Sequence, residues 1–308
     1  MDKQTDISIC IATWNSKEQL QSCLQTLVNS KWTMSYEIIV TDNASDDGTY
    51  EMVKQNFPSV KIIRSETNLL FGGGINFAVK HANAKFIAVL NDDIYATGEN
   101  LEKMCTFLNE NPKIGIVGPK VLRPNGKTER FGGLFPSISV EIARILGLRF
   151  ILGMKRLILE KKQVDWVSGC CFVIKREIVD EIGMFDEKYP FYWEDVDLCF
   201  RVSQAGWEVW AYPEASVTHV HAQSSRRIGI ERRSQLAFEG RKVFLNKAYP
   251  IEQRKRLVKL WKIVAYRDIS LLRFLLILTL GLSERTKIKL LSWKYELEGL
   301  NKIQKQLG

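Results

Sequence analysis

Three places in the chain set polar or acidic side chains directly after an apolar run. Thr13-Trp14-Asn15 follows Ile7–Ala12, Asp42-Asn43 follows the run 36–41, and Asn91-Asp92-Asp93 follows 86–90. Adjacent carboxylates such as Asp92 and Asp93 repel, so their joint ionisation needs a nearby positive charge. A divalent cation supplies it. Hard oxygen donors suit Mg²⁺ or Mn²⁺, and Mg²⁺ is commonly held by one or two carboxylates plus substrate phosphates. A second acidic group, Glu194-Asp195-Val196-Asp197, opens a helical pattern with Val196, Cys199, Phe200 and Ser203 on one stripe. Asp195 falls in that first turn, where the helix dipole favours a carboxylate. Such a group can take the proton of a hydroxyl as the hydroxyl attacks. Asp197 stands four residues before Arg201, the spacing of a helical ion pair, and Glu194 is placed to orient an acceptor.

Gly72, Gly73 and Gly74 follow Phe71 and precede a helical pattern. Backbone without Cβ atoms can approach a ligand closely, and a helix N-terminus favours anions. The Gly-Lys-Ser/Thr ending of a phosphate-binding P-loop is absent. His219 and His221 end a strand-like run, 215–220, and alternation puts them on one face. An imidazole there can complete a metal shell or contact a phosphate, whereas His81, late in a helical pattern, reads as a surface or packing residue. Each feature also has a plainer alternative: solvated aspartates capping a helix, a flexible glycine turn, a structural histidine.

The elements that must position these groups alternate along the first 120 residues. Strands are expected at 7–12, 36–41, 60–64, 86–90 and 114–117. Between them lie a helix carrying Leu20, Leu24, Leu27 and Val28 on one stripe, and others at 74–84 and 101–110. This alternation predicts an α/β fold with a mainly parallel sheet flanked by helices. Ligands bind such sheets at the carboxyl ends of the strands, so the three polar strand ends converge on one rim.

The ordered set of motifs resembles the GT-A fold of family 2 glycosyltransferases, in particular the rhamnosyltransferase-like branch. The segments that carry the likeness are Ile9–Ser16, Val40–Thr49, Asn68–Asn76, Leu90–Asp93, Asp165–Cys170, Gly183–Asp186, Trp193–Arg201, Ala205–Trp207 and His219–Ser224. The resemblance implies a nucleotide-diphospho-sugar donor held by Thr13, Asn15, Asp42, Asn43, Gly72, Gly73, Asn76, Asn91 and Asp92, with Asp42 accepting from the imide N–H of the base. It implies Asp93 and His219 as the metal-side residues and Asp195 as general base, aided by Glu194. Where many relatives carry Asn-Pro-Asp, this chain has Asn91-Asp92-Asp93. The expected reaction is inverting transfer from a UDP- or dTDP-sugar, rhamnose being the branch's suggestion, to a cell-surface glycan or lipid-linked acceptor. The alternatives are a non-catalytic module that binds nucleotide sugars or glycans, and a nucleotide-sugar hydrolase.

The 308 residues, 45% hydrophobic, suffice for one large core plus an appendage. Six cysteines without a CxxC pair suit buried free thiols in a reducing compartment. The net charge of +9 is uneven: residues 223–308 hold 20 Lys and Arg against 7 Asp and Glu, and the rest is slightly acidic. A GT-A domain at 1–225 is therefore expected to carry a basic helical region at 226–308. Within that region, 269–282 is strongly apolar but shorter than the about 20 residues needed to span a bilayer. With the basic clusters Arg254-Lys255-Arg256 and Lys287, Lys289 and Lys294, it suits helices lying on an anionic membrane, which places the protein in the cytoplasm at the inner face of the plasma membrane. A stretch at 142–162 is of similar character. No nucleic-acid-binding module surrounds the charge.

Overall fold

Ile7 to Ile11 have no solvent contact on either side of the chain, and this segment forms the middle of a sheet. The computed structural model describes residues 5–146, 160–220, 229–278 and 283–307. Its strands are β1 (Thr5–Thr13), β2 (Tyr36–Asp42), β3 (Lys61–Arg64), β4 (Ala84–Asn91), β5 (Ile94–Tyr95), β6 (Ile114–Leu122), β7 (Gly132–Gly133), β8 (Lys162–Val164), β9 (Trp166–Val167), β10 (Cys171–Lys175) and β11 (Glu208–His219). Its helices are α1 (Lys17–Val28), α2 (Thr49–Asn56), α3 (Leu70–Val79), α4 (Gly98–Glu110), α5 (Ile138–Ile145), α6 (Arg176–Ile182), α7 (Glu194–Gln204), α8 (Ile230–Ala248), α9 (Ile251–Leu278) and α10 (Glu284–Leu307).

Two compact units result, Met1–Leu134 with Arg156–Ser224, and Phe135–Lys155 with Ser225–Gly308. The first holds a nine-stranded sheet in the order β3-β2-β1-β4-β10-β6-β11-β5, with β8 on β11. β3, β2, β1 and β4 run parallel. β10 lies antiparallel between β4 and β6, all five of its residues buried. The expected strand at 215–220 is the end of a longer one, because β11 starts at Glu208 and shifts register between Tyr212 and Ser216. Pro213 sits in that irregularity, where a missing N–H is tolerated.

The expected glycine loop is helix instead. Gly72, Gly73 and Gly74 lie in the first turns of α3, which begins four residues before the predicted start. Glycine disfavours a helix by about 1 kcal/mol per residue, but packing overrides the propensity here. A Cβ on Gly74 would come within 2.8 Å of the Ala12 Cβ and the Asn43 amide, so its absence lets α3 lie against β1 and the β2 end.

The second unit has its own core of Leu245, Leu257, Val258, Trp261, Ala265, Leu300 and Ile303, drawn from α8, α9 and α10. Arg241 pairs with Glu296 and stacks over Trp261 at 4.8 Å. α5 joins this unit: Arg267 of α9 donates to the carbonyls of Arg144 and Ile145 at 3.3 and 3.1 Å. No helix among the described residues is long and apolar enough to cross a membrane.

Candidate active site

Parallel pairing sets the rim. Register places Thr13 beside Asp42, Ala12 beside Asn91, and Asp42 beside Arg64. Asp42 is fully buried. Its Oδ1 accepts from the Ser45 N–H at 3.1 Å, while Oδ2 lies 3.5 Å from Arg64 Nε and accepts no hydrogen bond. Thr41 Oγ1 and Asn43 Oδ1 are also buried without hydrogen-bond partners, on the opposite face of the strand. A buried acceptor without a partner disfavours the bare site; a ligand N–H would relieve Asp42 Oδ2. Asn15 has φ 52°; its N–H donates to Ser45 Oγ and its Oδ1 accepts from the Asp46 N–H, so it ties the loop after β1 to the loop after β2. Asn76 has a similar structural task. Its amide donates to the Phe185 carbonyl and Glu187, and its carbonyl accepts from the Phe185 N–H, so it clamps 185–187.

The Thr13 hydroxyl donates to Asp92 at 2.8 Å. Burial, and then the charge of Asp93, push Asp92 up to about 7 despite the hydrogen bonds from Thr13 and Ser16. β5 pairs with β11 so that Ile94 faces His219, and the Val220 N–H donates to the Asp93 carbonyl. The pairing brings His219 Nε2 to 3.2 Å from Asp93 Oδ1 and Nδ1 to 3.5 Å from Glu129 Oε2. Burial lowers the His219 pKa, but the two carboxylates outweigh it and the net direction is up. Cis ligands of an octahedral ion with bonds of about 2.1 Å stand roughly 3 Å apart. The Asp93–His219 spacing therefore fits one Mg²⁺ or Mn²⁺. Among the described residues no three His, Cys, Asp or Glu side chains form a group that could hold a metal ion. His221 lies outside the described residues. His81 is exposed, its Nδ1 2.9 Å from the Phe77 carbonyl and its ring against the Phe77 edge.

The other acidic group is held by strained backbone. Tyr192 and Trp193 both have positive φ, 66° and 74°, immediately before α7. Such conformations cost about 1–3 kcal/mol each and persist only where the surroundings enforce them. Just beyond them Asp197, fully buried, accepts from Arg201 Nε at 2.8 Å and Tyr189 OH at 3.0 Å. Arg201 in turn donates to the carbonyls of Ile182, Gly183 and Met184, pinning the Gly183–Asp186 motif to α7. Asp195 accepts from the Gly169 N–H and the Val196 N–H, both at 2.8 Å. The helix dipole favours its ionised form, yet burial outweighs those N–H groups and raises its pKa. Glu194 is more extreme: burial and the adjacent Asp195 push it up to about 8, and its Oε2 accepts no hydrogen bond.

A buried acid with a raised pKa binds its proton more tightly folded than unfolded. Stability therefore falls as pH rises from the unfolded value, 4.5, towards the folded one, about 8. Glu194→Gln cannot ionise, so its melting temperature should gain on that of the wild type steadily between those limits. The corresponding difference in unfolding free energy should be on the order of a few kcal/mol at most. Parallel melting curves from acid to mildly alkaline pH check this; a constant gap would mean Glu194 titrates normally.

Sequence reasoning missed Glu129, Arg64 and the Gly169 N–H. Arg64 was recoverable, since it ends β3 opposite Asp42. Glu129 lies in a turn after β6 with no periodic signal, and only folding brings it to His219. The six cysteines are free and buried, as expected.

This parallel sheet, with its acidic rim and helical flanks, is the GT-A fold. Mannosyltransferase PcManGT from Pyrobaculum calidifontis, solved with GDP-Man and Mn²⁺, superposes with a TM-score of 0.62 at 14% identity, over 98% of this chain and 88% of that one. S. aureus TarS 1-349, solved with UDP, gives 0.55 at 15% identity, over 83% and 71%. The chain also matches the sequence model of glycosyl transferase family 2 over residues 8–183, more than half its length, and belongs to that family. Among relatives, N-acetylglucosaminyl-diphospho-decaprenol L-rhamnosyltransferase of Mycobacterium tuberculosis is 27% identical over 214 residues, covering 62% of this chain and 68% of the relative. The low-salt glycan biosynthesis hexosyltransferase Agl10 of Haloferax volcanii is 24% identical over 200 residues, covering 64% and 61%. The protein is a glycosyltransferase.

Proposed function

We propose that the protein is an inverting, metal-dependent transferase that moves a hexosyl group, rhamnosyl first among candidates, from a UDP- or dTDP-sugar to a hydroxyl of a lipid-linked saccharide. It would work in cell-surface glycan synthesis as a peripheral enzyme on the inner face of the plasma membrane. One observation carries the mechanism. The turn Gly169-Cys170 joins the two acidic groups: the Cys170 carbonyl accepts from the Asn91 N–H at 2.9 Å, and the Gly169 N–H donates to Asp195. This link between Asp195 and the strand end that carries Asp93 supports a single displacement, with Asp195 as base, Asp93 on the metal side and no protein nucleophile.

In this scheme Asp42 Oδ2 accepts the imide N–H of the base, and Asn91 and Asp92 face the ribose. Asp93 and His219 would hold a Mg²⁺ or Mn²⁺, which would supply Lewis-acid stabilisation of a departing diphosphate. Asp195 takes the acceptor hydroxyl proton as its oxygen attacks the anomeric carbon from the face opposite the leaving group. Glu194, kept protonated by burial, donates a hydrogen bond to orient the acceptor. The name of the mycobacterial relative, a transferase acting on a diphospho-decaprenol-linked sugar, supports the acceptor class. The test is a panel of nucleotide sugars with a polyprenyl-diphosphate-linked saccharide, followed by NMR of the new linkage. Inverted product from a UDP- or dTDP-sugar is expected. Retained configuration would refute the displacement, and donor breakdown without any transferred product would favour a hydrolase.

A further inference from the structure

Among the described residues, the core of the helical unit gathers at one end of the α9–α10 pair. On α9 the buried residues stop at Ile269. Beyond it, Leu271, Phe274, Ile277 and Leu278 are 60%, 59%, 72% and 63% exposed. α10 mirrors this: Ile288 and Leu291 are 49% and 41% exposed, and its burial begins only at Gly299 and Leu300. Arg267 fastens the end of α5 to the same region, where Leu146 is 62% exposed. Large apolar side chains seldom gather in water unless something covers them.

We infer that the exposed apolar side chains Leu271, Phe274, Ile277, Leu278, Ile288 and Leu291 form a docking surface for an anionic phospholipid bilayer, entered to interfacial depth. It deepens the proposed function by naming the residues that would bring that site to its lipid-linked acceptor. Charge selects the occupant. The exposed cations Arg273, Lys289 and Lys294 border the apolar side chains, and the acidic groups nearby are already matched, Asp268 with Arg267 and Glu284 with Lys287. A second copy of the chain, paired through this end, would set these cations against their own equivalents, whereas a leaflet of anionic headgroups complements them. Length selects the depth. Leu271 to Leu278 rise only about 12 Å along the helix, enough to enter the acyl boundary but far short of a span. Apolar burial should hold the surface in the interface, while the cations supply a preference for anionic lipid that salt screens.

The experiment is co-sedimentation of the full-length protein with vesicles of phosphatidylglycerol and phosphatidylcholine, or of phosphatidylcholine alone, at low and high salt. Binding should favour the anionic vesicles and weaken with salt. Lys289→Glu with Lys294→Glu should lower anionic partitioning about 30-fold or more. Phe274→Ser with Ile277→Ser should abolish binding to both vesicle types. Circular dichroism and UDP affinity serve as folding controls, since none of the four residues belongs to the donor site. Equal partitioning to neutral and anionic vesicles would overturn the inference, as would no binding, or a dimer in sedimentation velocity that Phe274→Ser dissociates. Binding is read without catalysis, so failure of the proposed transfer reaction would leave it standing.

Discussion

Asp195→Asn should reduce kcat by about 10²–10⁴-fold, the span expected for a positioned base, while UDP affinity changes little. The substitution keeps the shape of the side chain and removes its ability to take a proton. Only one of its two backbone contacts persists in full, because an amide nitrogen cannot accept from the Gly169 or Val196 N–H. A modest loss of stability should accompany the rate loss, so calorimetric titration of UDP and single-turnover rates are measured on the same preparation. The pH–rate profile gives a second test. Burial raises the Asp195 pKa, so the acidic limb of kcat/KM should lie above the usual carboxylate range, with Glu194 and Asp195 titrating as a coupled pair. A loss below tenfold in Asp195→Asn, with a larger one in Glu194→Gln, would transfer the role of base to Glu194.

Asp93→Ala should lower turnover by on the order of 10²–10³-fold, as for removal of a group that stabilises leaving-group charge. Chelation of the wild type should give a comparable loss that Mn²⁺ or Mg²⁺ reverses. Direct readout is available without turnover: Mn²⁺ binding in the presence of UDP, followed by electron paramagnetic resonance, should weaken in Asp93→Ala and His219→Ala. Glu129→Gln should produce a smaller effect, because Glu129 lies 3.5 Å from the other ring nitrogen and acts through His219. His221→Ala should be near neutral. Full activity in excess chelator would refute the proposed metal dependence, and equal damage from the two histidine variants would refute the role proposed for His219.

Much of this site was legible before folding, and for definable reasons. Parallel strands with short connections end on one side, so apolar runs followed by Thr13, Asp42 and Asn91 had to share a rim, and the register places them there. Asp197 and Arg201 were legible because helical geometry brings residues four apart together, and they form the expected pair at 2.8 Å. Local spacing carries that kind of information. The tertiary structure decided what depends on partners far along the chain. Gly74 became helix where α3 lies against Ala12 and Asn43, a packing advantage that outweighs glycine's propensity. Asn76 became a clamp on a segment 109 residues away. The ionisation of Asp195 was set by burial rather than by the helix dipole that its position suggested. Glu129 met His219 only through the turn after β6, and Gly169 met Asp195 only because β10 runs antiparallel between β4 and β6. A periodic pattern records which face of an element is buried; which groups then share that buried space, and with what charge, follows only once the elements have packed.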